Sequence, residues 1–150
     1  MESHYCALVT DDLFTPTVRD SQAPTEKPWN PDSIVYAAFF GGPLAGAVLG
    51  ILNGRKLLLS RSHLLLIALA GVVAIAGRLV FTAWQGHAAA RIGGAMAGVL
   101  VWLVVNALQR KAFRAAIHNG LEPASLVGPG IAAAIGCGLI EVILIVAVAW

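Results

Sequence analysis

The sequence predicts an all-α integral membrane protein: a four-helix transmembrane bundle behind an extended, acidic, proline-rich N-terminal arm. Three observations predict it. Of the 150 residues, 58% are hydrophobic and only 12% are charged, against about 25% charged in soluble domains, and the mean hydropathy is +0.78. Four apolar runs are each long enough to cross a hydrocarbon core of about 30 Å, which takes about 20 residues of helix. The charges are segregated, with most of the acidic residues ahead of the first run. This composition excludes an ordinary soluble domain, a disordered chain, a disulfide scaffold and a basic nucleic-acid binder.

The arm, residues 1–32, carries Glu2, Asp11, Asp12, Asp20, Glu26 and Asp32 against Arg19 and Lys27. It also holds Pro16, Pro24, Pro28 and Pro31. It lacks a basic stretch leading into an apolar core, so it does not read as a cleavable signal peptide. Such a segment cannot bury enough apolar surface to fold alone. It is expected either as a disordered tail or as an extended arm lying on a partner subunit.

The bundle occupies 33–150, with spans at about 34–52, 64–84, 88–108 and 127–150. Asn30 is placed to cap the first span, Pro31 suits a first helical turn, and Asp32 faces the positive end of the helix dipole. The third span's helical pattern continues as a polar extension to His118, where Asn119-Gly120 suits a C-cap. Pro129 falls in the first turn of the fourth span. Four spans put both termini on one side. The first loop has Arg55, Lys56 and Arg61, and the third has Arg110, Lys111 and Arg114; the terminus side has Arg19, Lys27 and Arg91. The positive-inside rule then puts loops 1 and 3 in the cytoplasm and both the N- and C-termini on the non-cytoplasmic side. Trp29, Trp84 and Trp150 read as one aromatic belt on the terminus side.

Small residues recur every four positions, on one helix face. The first span has the ladder Gly42, Gly46, Gly50 and Gly54. The third has Gly94 and Gly98, and the fourth Gly130, Ala134 and Gly138. Such faces let backbones approach closely, on which packing in lipid depends. The ladder contains Pro43, which removes a backbone hydrogen bond, so Gly41-Gly42-Pro43 is expected to kink the helix near mid-membrane. Gly41-Gly42-Pro43-Leu44-Ala45-Gly46 is similar to Gly93-Gly94-Ala95-Met96-Ala97-Gly98, and a duplicated two-span unit is one reading of that similarity.

Three ionisable residues fall within spans: Arg78, Arg91 and Glu141. Charges there are costly and mark functional candidates. Counted from the span ends they share one leaflet, and at about 100° per residue each points along a small-residue face. An Arg78–Glu141 pair with Arg91 nearby houses them most economically. It serves as a structural lock, an anionic-ligand or lipid-headgroup pocket, or a proton path. Arg78 is long enough to snorkel, so loss of Glu141 is expected to matter less than loss of Arg78.

No catalytic constellation is present. His4, His63, His87 and His118 lie in the arm or near span ends, and Cys6 and Cys137 show no metal-binding spacing. Cys137, between Gly136 and Gly138, reads as a small packing residue. No enzyme activity, metal or cofactor is expected.

Phe40-Gly41-Gly42-Pro43-Leu44-Ala45-Gly46, followed by Leu49 and by Asn53-x-Arg55-x-Leu57, resembles the first-helix signature of a group of small multi-pass bacterial membrane proteins. The resemblance implies a bacterial inner membrane protein and carries no activity or site residue. The leading expectation is a non-catalytic accessory or structural subunit of a larger bacterial membrane complex, of respiratory or photosynthetic type. It would pack through its glycine-rich faces, with membrane lipids and other integral membrane subunits as partners, the arm being one means of contact with those subunits, and no nucleic acid. The alternative is a small oligomeric transporter or channel that uses the intramembrane Arg/Glu cluster.

Overall fold

The computed structural model describes residues 26–85 and 90–149, with side chains for all of these but residues 85, 90, 91, 148 and 149. A single 3₁₀ turn, Pro31–Ser33, leads into α1 (Ile34–Lys56), followed by α2 (Arg61–Gln85), α3 (Ala90–His118) and α4 (Val127–Ala149). No strand occurs among the described residues; an isolated bridge joins Trp29 to Ala124. Four helical segments are long and apolar enough to cross a membrane. Local signals at the start of α1 act as the sequence suggests: the Asn30 side chain accepts from the Asp32 amide at 3.0 Å, and Pro31 opens the turn.

The first helix is not one rod. Gly42 sits at φ 77°, ψ −172°, outside any helical region, and Pro43 follows it. At this point the chain reverses rather than kinks. Ala38 and Gly46, eight positions apart, are packed so closely that a Cβ on Gly46 would fall 2.9 Å from the Ala38 Cβ. The Trp29 amide donates to Asn53 Oδ1 at 2.8 Å, and Asn53 Nδ2 donates back to the Trp29 carbonyl at 3.0 Å. In a straight helix those two residues would lie roughly 35 Å apart, at about 1.5 Å per residue. α1 is therefore a helical hairpin. An entering half (31–41) and a returning half (43–56) run antiparallel, and at about 1.5 Å per residue they are roughly 16 and 21 Å long. Each is too short to cross a hydrocarbon core of about 30 Å.

Both halves lie along the same stretch of α3. Trp102 Nε1 donates to the Pro31 carbonyl at 3.0 Å and Asn106 Nδ2 to Asp32 Oδ1 at 3.0 Å, which fixes the entering half. Gly46 meets Val101, Gly50 meets Val105, and Gly54 meets Leu64 and Gln109, which fixes the returning half. The hairpin is the hub of the bundle, and α2, α3 and α4 all pack on it. Among the described residues the backbones of α3 and α4 stay more than 8 Å apart, Cα to Cα. The buried core follows from this: Ile34, Leu49, Ile67, Val101 and Val105 surround the two halves.

Three expectations are corrected by the reversal. The run 34–52 is not a single crossing, because the left-handed Gly42 and the missing amide of Pro43 turn the chain back. The termini of the described chain do not share an end. Residues 26–33 sit with loops 1 and 3, whereas α4 finishes at the opposite end, with the α2–α3 connection. Trp29 consequently does not belong to a belt with Trp84. It is buried at the loop end, with Lys56 Nζ 4.2 Å from its ring centroid, while Trp84 is exposed near the far end. The two similar glycine segments also fold differently. α3 carries Ala95 where α1 carries Pro43, and it runs straight through.

The part of the arm within the described residues, 26–32, is stitched onto the bundle. Pro28 and Pro31 are buried, and the Pro28 carbonyl accepts from the Ala124 amide at 2.9 Å. Lys27 Nζ meets Glu122 at 2.9 Å, and that hydrogen bond holds the Glu122 carboxyl below its ordinary range. This pair is solvent-exposed and adds little stability. The arm's residues 1–25 lie outside the described residues.

Candidate functional site

The reversal at Gly42 leaves a helix start inside the bundle. The returning half begins at Pro43, a residue suited to a first helical position because that amide has no intrahelical partner anyway. The next amide, Leu44 N–H, is one of the donors that every helix start leaves unpaired. Glu141 of α4 supplies its acceptor: Leu44 N donates to Glu141 Oε1 at 2.8 Å. A carboxylate at a helix N-terminus also meets the positive end of the helix dipole. Glu141 is only 3% exposed. Its other oxygen, Oε2, is paired with Arg78 Nη1 of α2. Three elements thus converge: the hairpin apex, α2 and α4.

Glycines make the convergence possible. A Cβ on Gly42 would run into the Glu141 carboxylate, and one on Gly94 would fall 2.6 Å from the Arg78 guanidinium carbon. A Cβ on Gly98 would meet the Ala38 carbonyl of the entering half. On α4, Ala134 and Gly138 face Gly41, so α4 approaches the apex almost backbone to backbone. Gly130 is a looser contact, with a Cβ 4.0 Å from that of Ala37. The small residues of α1, α3 and α4 therefore meet helices of this same chain. Pro43 stands at the apex itself.

Of the three charged residues within the apolar runs, the structure brings Arg78 and Glu141 together. Arg91 is in the first turn of α3, and its side chain lies outside the described residues. Three further polar residues, Thr82, Asn53 and Gln109, are buried outside the expected cluster. Thr82 is one turn beyond Arg78 on the same face of α2. It is 7% exposed, and its Oγ1 has no hydrogen-bond partner among the described residues. Its position four residues after a buried arginine was the available signal. Asn53 and Gln109 form a buried amide knot that fastens the two ends of the hairpin. Asn53 Nδ2 donates to Gln109 Oε1 at 2.7 Å, and Gln109 Nε2 donates to the Gly50 carbonyl. Gln109 continues the buried line Ala97, Val101, Val105 at four-residue spacing. That line was legible, but a span ending at Leu108 put the residue outside it.

Beside the apex lies a cavity of about 670 Å³. Its origin is architectural. The hairpin fills only half the depth between α3 and α4, whose backbones are held apart, and the other half is left open. The floor is Arg78 and Glu141 beneath Gly41 and Gly42; the walls include Phe39, Phe40, Ile92, Ile135, Leu139 and Val142. Among the described residues no cluster of His, Cys, Asp or Glu is placed to hold a metal ion. Cys137 is a free thiol, half-buried on α4. The site's chemistry is that of a buried ion pair, a capped helix start and an apolar-walled opening. Comparison with protein-family models, with curated proteins and with solved structures finds no match to this chain.

Proposed function

We propose that this chain is a multi-pass membrane protein that works as a small oligomeric transporter or channel, with the hairpin apex and the Arg78–Glu141 pair as the place its solute meets. The observation that carries the reading is the capping of a broken helix, deep in the bundle, by a carboxylate from another helix. In lipid, non-helical backbone at depth is tolerated only where protein buries it or where it lines a water-filled cavity. Discontinuous helices whose ends point at a central site are a recurring device of transporters. Ionisable residues at that depth mark solute and ion paths by default. The open side of the cavity, between α3 and α4, is the argument for an oligomer, since one chain does not close it. An accessory subunit packed through glycine faces has less in its favour, because those faces are occupied within the chain.

The orientation follows from the hairpin. Lys27 joins Arg55, Lys56, Arg61, Arg110, Lys111 and Arg114 at one end, against Arg91 at the other. The positive-inside rule assigns the basic end to the cytoplasm, and the resemblance of the first helix favours a bacterial inner membrane. A periplasm-active reporter fused after Trp150 is expected to be active, and reporters placed ahead of Lys27 or near Gly120 to be dark. Activity ahead of Lys27 would mean that α1 crosses as a single span. The function itself is tested in liposomes containing the purified full chain. Solute or ion flux is expected with the native chain and a marked change with Arg78→Lys. Absence of flux, together with large membrane subunits co-purifying in mild detergent, would assign the chain to an accessory role instead.

A further inference from the structure

The chemistry of the cavity floor is one-sided. One oxygen of Glu141 accepts from the Leu44 amide, and the other, Oε2, is held in the ion pair with Arg78 without a hydrogen bond of its own. The Arg78 guanidinium carries five N–H donors. It meets Glu141 through Nη1, its Nε is buried, and among the described residues no other hydrogen bond to it is present. Buried polar groups of this kind are ordinarily satisfied. The guanidinium therefore has more N–H donors than the one carboxylate takes up. A ligand that completes it must accept hydrogen bonds, and a negative one gains most. The walls make the opposite demand. Phe39, Phe40, Ile92, Ile135, Leu139 and Val142 offer no hydrogen bond from their side chains. The volume, about 670 Å³, is that of a small-molecule site, typically about 300–1,000 Å³.

We infer that the cavity is a binding site for an amphiphilic oxyanion: a carboxylate or phosphate group on an apolar body. The oxyanion takes the unused donors of Arg78, and the apolar body lies between α3 and α4. Such a molecule has two sources, an organic acid from the water or an anionic lipid from the bilayer. The inference rests on the transporter reading only for what happens after binding; the binding itself is independent of it.

The test uses the full chain in maltoside detergent, with octanoate as the soluble probe and octanol and octylamine as matched neutral and cationic controls. Octanoate is expected to raise the unfolding temperature saturably, because a ligand that binds only the folded state stabilises it. The two controls should not. Phosphatidylglycerol, retained through delipidation and identified by mass spectrometry, is the other arm, and its retention in place of an octanoate response assigns the site to lipid. Arg78→Lys keeps the charge but gives up the planar fork of donors, and should raise the octanoate midpoint by roughly two- to tenfold, the worth of one hydrogen bond. Arg78→Gln should abolish the response. Equal shifts from octanoate and octanol, or no response to octanoate and no retained phosphatidylglycerol, would overturn the inference. Octanoate binding without flux in liposomes would leave the site standing and remove the transporter reading; flux with no binding of either probe would do the reverse.

Discussion

Exchanging Glu141 for leucine is expected to cost about 3–5 kcal/mol of stability, the usual penalty for stranding one member of a buried ion pair. The substitution does two things at once. It leaves the Arg78 guanidinium without its counter-charge, and it takes away the acceptor of the Leu44 amide, which opens the returning half of the hairpin. Arg78→Leu should cost less, because the remaining carboxylate still caps a helix start and keeps a favourable dipole. This ordering is the reverse of what the sequence suggests, where a snorkelling arginine makes the glutamate the lesser loss. Glu141→Gln should fall between the two, since an amide oxygen can still accept from Leu44. The double variant should regain most of the loss, because the desolvation penalty disappears with the pair. A residue of about 1 kcal/mol should remain for the missing cap. Thermal unfolding of the four proteins in detergent measures this, and strictly additive single effects would show that the two side chains are not coupled.

Gly42→Ala is the second large expected effect, and it acts on the backbone. The native φ of 77° with ψ near 180° belongs to a region that side-chain-bearing residues hardly enter, at a cost of about 1–3 kcal/mol. The new methyl group would also collide with the carboxylate of Glu141, so the apex must open to admit it. Pro43→Ala should be milder alone, since the first position of a helix tolerates most residues. Combined, the two changes remove both obstacles to a continuous helix over 34–56, which has the length and apolarity of a full span. The expected result for the double variant is a lower unfolding temperature and a mixed signal from a reporter placed ahead of Lys27. A Gly42→Ala protein with the native unfolding temperature and native reporter pattern would show that the reversal does not depend on this residue.

These expectations separate two kinds of information. Apolar content, run length and glycine spacing are properties of short stretches, so the all-helical architecture, the four helix-forming runs and the small-residue faces were legible directly. The pairing of Arg78 with Glu141 was also within reach, because a charge in an apolar run has few places to go and both side chains point along small-residue faces. The reversal at Gly41-Gly42-Pro43 was not. Glycine and proline permit a break, but whether the break is a modest kink or a full turn depends on what stabilises the new helix start. Here that is a carboxylate contributed from 97 positions further along the chain, together with the Asn53–Gln109–Trp29 knot that ties the hairpin ends. No local pattern records those contacts. Because the reversal decides which end each terminus occupies, the topology and the open cavity were tertiary decisions too. The sequence by itself determined that the chain is helical, apolar and closely packed. The tertiary structure decided that its first helix enters and returns, since only long-range hydrogen bonds can satisfy the backbone groups that such a turn exposes.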